Sequence, residues 1–125
     1  MEEKVNILVV DDLPDKRLAF REVLEEQEMK IVPADNGRDA IKVLLEDPDI
    51  DIVLMDIMMP EMDGLDTMRV IRKLPQFNKL PIIAVTAKAM KGDREKCIEA
   101  GAWDYLSKPV DTVHLLAVLR GWLQR

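Results

Sequence analysis

The 125-residue chain has one cysteine, one histidine and only 4% aromatic residues. The single cysteine, Cys97, excludes an internal disulfide, and one cysteine with one histidine offers no ligand spacing for zinc. We therefore expect a reducing, cytoplasmic compartment. No apolar run approaches the ~20 residues of a membrane span, and the first residues lack the basic and apolar regions of a signal peptide. The sequence thus predicts no membrane partner.

Basic residues are also in the minority. The chain has 18 Lys+Arg against 24 Asp+Glu, which gives a formal net charge of −6 and a sequence pI of about 4.8. That balance argues against a direct nucleic-acid partner. The length suits one domain with its own core and is too short for two ordinary domains. We expect a single domain over residues 1–125.

Short apolar segments rich in β-branched residues alternate along the chain with segments of helical periodicity. The former predict strands buried on both faces, and the latter predict amphipathic helices. The predicted strands cover residues 4–10, 29–34, 81–85 and 103–107, with a further strand that starts at 52 and ends between 56 and 60. The predicted helices cover residues 17–28 with Pro14 in a first turn, 38–46, 65–74, 88–100, and a last segment capped by Asp111 or Thr112.

The strictly alternating order predicts right-handed crossovers and a parallel sheet covered by helices on both sides. Pro33 cannot donate a hydrogen bond to a strand ladder, so the second strand belongs at an edge. The resulting hypothesis is an α/β, doubly wound (flavodoxin-like) five-stranded parallel sheet of order 2-1-3-4-5 with five helices. In this order, ligands bind beyond the carboxyl ends of strands 1 and 3.

Polar residues collect at those carboxyl ends. Asp11 and Asp12 leave strand 1, Asp56 leaves strand 3, Thr86 leaves strand 4 and Lys108 leaves strand 5. Three carboxylates would repel one another without a cation, and an oxygen-rich set favours Mg²⁺ over zinc. The Thr86 hydroxyl and the Lys108 ammonium group can both bind the oxygens of a phosphoryl group. These residues point to a Mg²⁺-assisted phosphoryl transfer in which Asp56 is the nucleophile.

Over its whole length the chain resembles the receiver (CheY-like) domain of bacterial two-component response regulators. Within that family, the run from Thr86 to Asp93 is most similar to receivers of hybrid histidine kinases. The matching segments are Val9-Val10-Asp11-Asp12, Asp35-Asn36-Gly37, Met55 to Gly64, Val85-Thr86-Ala87, Glu99 to Leu106, and Lys108-Pro109.

The resemblance implies a role for each site residue. Asp56 would be the phosphorylation site and would take its phosphoryl group from a phosphohistidine on a sensor histidine kinase or a histidine phosphotransfer protein. Asp12 would bind Mg²⁺ directly and Asp11 through water, with Asp56 and the backbone carbonyl of Met58 as the other ligands. Lys108 would pair with the phosphoryl oxygens, and its peptide bond to Pro109 would be cis.

The resemblance also implies a switch. Thr86 would move toward the phosphoryl group and Tyr105 would turn inward, so the face formed by helix 4, strand 5 and helix 5 would report phosphorylation. An effector or a second copy of the chain would bind that face. The protein would not be a conventional enzyme but would catalyse its own phosphorylation and dephosphorylation. Dephosphorylation would be slow because Met58 has no carboxylate or amide to orient water.

Two other functions remain open at this point. One is a phosphatase of the haloacid-dehalogenase type, which generally carries a second acid two residues after the nucleophile, where this chain has Met58. The other is a receiver that is never phosphorylated and serves as a docking module or a dimerising platform. Such members usually lose an acid or the lysine, and this sequence keeps all of them. Sensitivity of the protein to Mg²⁺ and acetyl phosphate separates the switch from the docking module.

Overall fold

The computed structural model describes residues 5–47, 49–59, 63–86 and 93–123, without the side chain of Asp93. Lys4 of the first predicted strand, the predicted start of helix 4 at Lys88 and the motif residues 60–62 and 87–92 lie outside the described residues. The strands are β1 Asn6–Val10, β2 Lys30–Ala34, β3 Ile52–Asp56, β4 Ile82–Thr86 and β5 Asp104–Ser107. The helices are α1 Pro14–Glu26, α2 Gly37–Glu46, α3 Gly64–Lys73, α4 Asp93–Ala100 and α5 Thr112–Leu123, with a 3₁₀ turn at Pro75–Phe77.

All five strands are parallel and their order is β2-β1-β3-β4-β5, as predicted. Pro33 lies in β2, at the edge of the sheet, where its missing N–H costs no ladder bond. The prediction of a doubly wound sheet is therefore confirmed. None of the helices in the described ranges has the length and apolar character that crossing a bilayer requires.

Alternate strand residues supply two separate cores, because successive side chains point to opposite faces of the sheet. On one face, Leu8, Val53 and Met55 pack with buried residues of α2, α3 and α4, including Cys97. On the other face, Ile7 and other strand residues pack with buried residues of α1 and α5. The helices therefore shield both faces, which explains why the three central strands read as continuous apolar runs.

The pairs Asn36-Gly37 and Asp63-Gly64 have the residue types of turns, but in the structure each pair begins a helix, with the Asn or Asp as the N-cap. The Asn36 side chain accepts a hydrogen bond from the N–H of Asp39 at the start of α2. The Asp63 side chain does the same for Asp66 at the start of α3. Both helices thus begin at the glycine, because the capping side chain satisfies a backbone donor that the helix leaves unpaired.

The apolar residues of helix α5 lie on more than one of its faces, which suits either the domain's own core or a partner, and the structure assigns most of them to the core. Leu119 is fully buried, and Leu116, Trp122 and Leu123 pack against the same apolar cluster. Val113 remains 75% exposed. Asp111 caps the helix through a hydrogen bond from the N–H of Val113 (3.2 Å).

A single arginine ties together the end of the sheet opposite the carboxylates. The Arg72 guanidinium donates from Nε and Nη2 to the Gly101 carbonyl (2.9 and 2.6 Å) and from Nη1 to the Phe77 carbonyl (2.6 Å). It also lies 5.7 Å from the centre of the Trp103 ring, which packs on Trp122. Helix α3 is thereby joined to the turn between α4 and β5.

Candidate functional site

The register of the sheet brings the predicted site residues to one edge. Val10 pairs with Met55 and Asp56 pairs with Val85, so Asp11 follows β1 beside the end of β3. Thr86 pairs with Ser107, and Lys108 comes immediately after that pair. The N–H of Lys108 donates to the Thr86 carbonyl (2.7 Å), which continues the contact between β4 and β5 beyond the strands.

The three acidic residues form one cluster. Carboxylate oxygens of Asp11, Asp12 and Asp56 all lie within 4.8 Å of one another, with Asp11 and Asp56 buried and Asp12 partly buried. Asp11 Oδ2 is buried and accepts no hydrogen bond within the described residues. A buried carboxylate oxygen without a donor is costly unless a cation satisfies it. The donor set therefore fits a hard divalent cation such as Mg²⁺.

Lys108 is the basic residue of the cluster. Its Nζ lies 3.6 Å from Asp56 Oδ1 and 3.8 Å from Asp11 Oδ2, and its side chain is 18% exposed. The peptide bond between Lys108 and Pro109 is cis, as the family resemblance implied. Among the residues that the structure describes, one ammonium group thus faces three carboxylates, which gives this part of the site excess negative charge.

Burial dominates the electrostatics of Asp56. Loss of water raises the pKa of its carboxyl group, and the N–H of Met58 opposes this by donating to Oδ1 at 3.0 Å. Asp11 raises the pKa further, Lys108 lowers it, and Asp12 raises it again, so the net shift is upward. The charged form of Asp56 is therefore electrostatically destabilised, and a bound cation would stabilise it.

The remaining predicted residues occupy the expected strand positions. Thr86 is buried at the carboxyl end of β4. Tyr105 lies in β5, half-buried against the apolar cluster on the α2, α3 and α4 side of the sheet. The Met58 side chain is 66% exposed, and its backbone N–H contacts Asp56. The structure tests neither the movement predicted for Thr86 and Tyr105 nor the Met58 carbonyl as a metal ligand, so both stay predictions.

Sequence reasoning missed two residues that contact the site. Arg17 of α1 donates from Nη1 to the backbone carbonyl of Asp11 (2.6 Å), a bond with no sequence signal because its acceptor is main chain. A Cβ added at Gly64 would overlap the Asp56 carbonyl oxygen and lie 2.6 Å from the Ile57 Cα. The sequence marked Gly64 only by its place immediately before a predicted helix. Its close approach to the end of β3 is visible only in the structure.

Comparison with known proteins places these features in a family. A family model described as the response regulator receiver domain matches residues 7–120. The histidine kinase BarA of Escherichia coli K12 is 38% identical over 111 residues, which are 89% of this chain and 12% of BarA. An uncharacterized 14.6 kDa protein of Leptolyngbya boryana is 39% identical over 117 residues, which are 94% of this chain and 88% of that protein.

A solved structure agrees with these relatives. The receiver domain of the sensor histidine kinase PA1611 of Pseudomonas aeruginosa PAO1 superposes with a TM-score of 0.89 at 33% identity, over 98% of this chain and 100% of that domain. In that structure a magnesium ion is coordinated in the active site cleft. The predicted resemblance to receivers of histidine kinases is confirmed by PA1611 and by BarA.

Proposed function

Because the chain belongs to the response regulator receiver domain family of two-component signalling, we propose that it accepts a phosphoryl group on Asp56 from a phosphohistidine. The donor is a sensor histidine kinase or a histidine phosphotransfer protein, and the reaction depends on Mg²⁺. The observation that carries the proposal is the cluster of Asp11, Asp12 and Asp56 facing Lys108, with Asp11 Oδ2 buried and lacking a hydrogen bond within the described residues. A receiver that only docks gains nothing from buried carboxylates that destabilise the fold when no cation is bound.

Asp56 is the nucleophile in this scheme. Its Oδ1 accepts from the N–H of Met58 and lies near Lys108, which leaves Oδ2 as the attacking atom. A bond forms between Oδ2 and phosphorus while the bond from phosphorus to the histidine nitrogen breaks. The bonding electrons return to the imidazole, which takes up a proton from solvent. The product is an aspartyl phosphate, and no oxidant or further reactant is required.

The other site residues hold charge in place. Asp11, Asp12, Asp56 and the carbonyl of Met58 would hold Mg²⁺, which supplies positive charge to both the carboxylates and the phosphoryl oxygens. Lys108, already within 4 Å of two carboxylates, turns its ammonium group to a phosphoryl oxygen. Thr86 offers its hydroxyl to another.

The phosphoryl group then biases a two-state element. Thr86 moves toward the new charge, Tyr105 turns inward, and the face of α4, β5 and α5 changes shape. That face binds an effector or a second copy of the chain. The protein is not a conventional enzyme, since it catalyses only its own Mg²⁺-dependent phosphorylation and a dephosphorylation that Met58 leaves slow.

Intact-protein mass after incubation with Mg²⁺ and acetyl phosphate tests the proposal. We expect the mass of one added phosphoryl group in the wild type and in the control variant Asp66→Asn, which removes an exposed carboxylate bonded to Arg69. We expect none in Asp56→Asn or in the presence of EDTA. Where acetyl phosphate fails, a phosphorylated histidine phosphotransfer protein is the second donor. An unchanged mass with both donors, in protein that still binds Mg²⁺, would replace the proposal with the docking-module function.

A further inference from the structure

Arg17 contacts the site without contacting any of its carboxylates. Its guanidinium Nη1 donates to the backbone carbonyl of Asp11 at 2.6 Å, and the residue is half-buried on the first turns of α1. Within the part of the chain that the structure describes, no acidic side chain lies within ion-pair distance of it. Ion pairing with another side chain therefore does not explain this arginine.

The carbonyl that Arg17 binds belongs to the peptide unit between Asp11 and Asp12. Because a peptide unit is planar, fixing its carbonyl also fixes the N–H and the Cα of Asp12. Other bonds hold the flanking positions, since the Asp11 N–H donates to the Ala34 carbonyl (3.1 Å) and Leu13 N–H donates to Asp11 Oδ1 (2.9 Å). The Asp12 side chain makes no hydrogen bond or ion pair with any other described residue.

Helix α1 gives this loop little further support. Its N-cap residue is Leu13, which provides no side-chain hydrogen bond. The orientation of Asp12 thus depends on its backbone, and the bond from Arg17 is the one that holds the carbonyl of the Asp11–Asp12 peptide. We propose that Arg17 is a positioning residue that holds the Asp11–Asp12 peptide so that the Asp12 carboxylate faces the cation. The inference rests on the proposed function, because it needs a Mg²⁺ site at this cluster.

Electrostatics and positioning predict opposite effects of removing Arg17. Its guanidinium contacts the loop that carries two of the three carboxylates, so a purely electrostatic role would oppose a dication. Loss of that charge would then tighten Mg²⁺ binding. Loss of the positioning bond would instead weaken it, since residues that orient metal ligands typically contribute about 10–100-fold to metal affinity. The sign of the change therefore identifies the role.

The test compares Arg17→Met with Arg21→Met. Arg21 lies one turn further along α1, is exposed and pairs with Glu25, so its replacement removes the same charge from the same helix. Mg²⁺ is titrated into the wild-type 125-residue chain and into each variant, and binding is followed by backbone amide chemical shifts. We expect about tenfold weaker Mg²⁺ binding in Arg17→Met and a change of less than about twofold in Arg21→Met. Urea unfolding of the same proteins in EDTA identifies a merely structural role, because loss of a structural arginine would lower the free energy of unfolding in the absence of Mg²⁺.

Three outcomes would overturn the inference: unchanged or tighter Mg²⁺ binding in Arg17→Met, equal weakening in both variants, or weakening that follows a matching loss of stability in EDTA. The inference and the proposed function fail in distinguishable ways. Wild-type protein that binds Mg²⁺ but accepts no phosphoryl group contradicts the proposed function, while the titration still decides the role of Arg17. Wild-type protein that binds no Mg²⁺ contradicts both.

Discussion

Replacing Asp56 by asparagine should stabilise the metal-free protein, although it removes the residue on which the proposed function depends. The carboxylate is buried beside two others, and burial and Asp11 raise its pKa. Asparagine has nearly the same shape and carries no charge. The substitution therefore removes the electrostatic cost and keeps the packing.

The structure sets the size of this effect. Carboxylate oxygens within 4.8 Å of one another repel by at least about 3.5 kcal/mol per pair at an effective dielectric constant of about 20. On the same scale, Lys108 at 3.6 Å attracts Asp56 by about 4.6 kcal/mol. Because Asp56 faces two like charges and one opposite charge among the described residues, repulsion exceeds attraction by about 2 kcal/mol. We expect Asp56→Asn to raise the free energy of unfolding by about 1–2 kcal/mol in EDTA.

The sign of the pH dependence follows from the raised pKa. Between the ordinary value of 3.8 and the higher folded value, the native protein binds more protons at Asp56 than the unfolded chain does. This contribution to stability therefore falls as pH rises through the window. The advantage of Asp56→Asn over wild type should be full above the folded pKa and should narrow as the pH falls below it.

Urea unfolding of wild type, Asp56→Asn and the exposed-site control Asp66→Asn in EDTA measures these differences. The control should stay within about 0.5 kcal/mol of wild type. Adding Mg²⁺ should stabilise wild type more than Asp56→Asn, because the variant has lost one anionic ligand. An Asp56→Asn protein that is no more stable than wild type in EDTA would refute the electrostatic reasoning, and with it the view that the cluster is strained without a cation.

Three other substitutions test the packing beside the site and the bonds that hold the fold. Gly64→Ala places a Cβ 2.6 Å from Ile57 Cα. We therefore expect the free energy of unfolding in urea to fall by about 1–3 kcal/mol and phosphorylation to be slower in the mass assay. A variant with unchanged stability and unchanged phosphorylation would contradict the close packing. Arg72→Met leaves the Gly101 carbonyl without its two hydrogen bonds from the guanidinium. Thermal unfolding should show that the free energy of unfolding falls by about 3 kcal/mol. A fall of less than about 0.5 kcal/mol would show that other contacts replace these bonds. Asn36→Ala should cost about 1 kcal/mol by the same measurement, because α2 loses its N-cap, and an equal cost in Asn36→Ser would contradict a capping role.

The order of elements and the place of the site could be read from local patterns. Apolar runs with β-branched residues marked the strands, and Pro33 marked the edge strand that settled the sheet order. Parallel strands bring their carboxyl ends to one edge, so Asp11, Asp12, Asp56 and Lys108 could be predicted to meet there before any coordinates were known. Element ends were less predictable, because an Asx-Gly pair suits both a turn and an N-cap.

What the sequence alone determined, then, is the fold, the family resemblance and the chemistry of the acidic cluster, since these depend on residue type and on spacing along the chain. Only the tertiary structure decided the contacts made to main chain. The bond from Arg17 to the Asp11 carbonyl, the approach of Gly64 to the end of β3 and the bonds from Arg72 to the Gly101 carbonyl all have backbone partners. Every residue carries a backbone carbonyl and a Cα. The pattern of side chains along the sequence therefore does not show which of these backbone atoms the fold brings into contact with a distant residue.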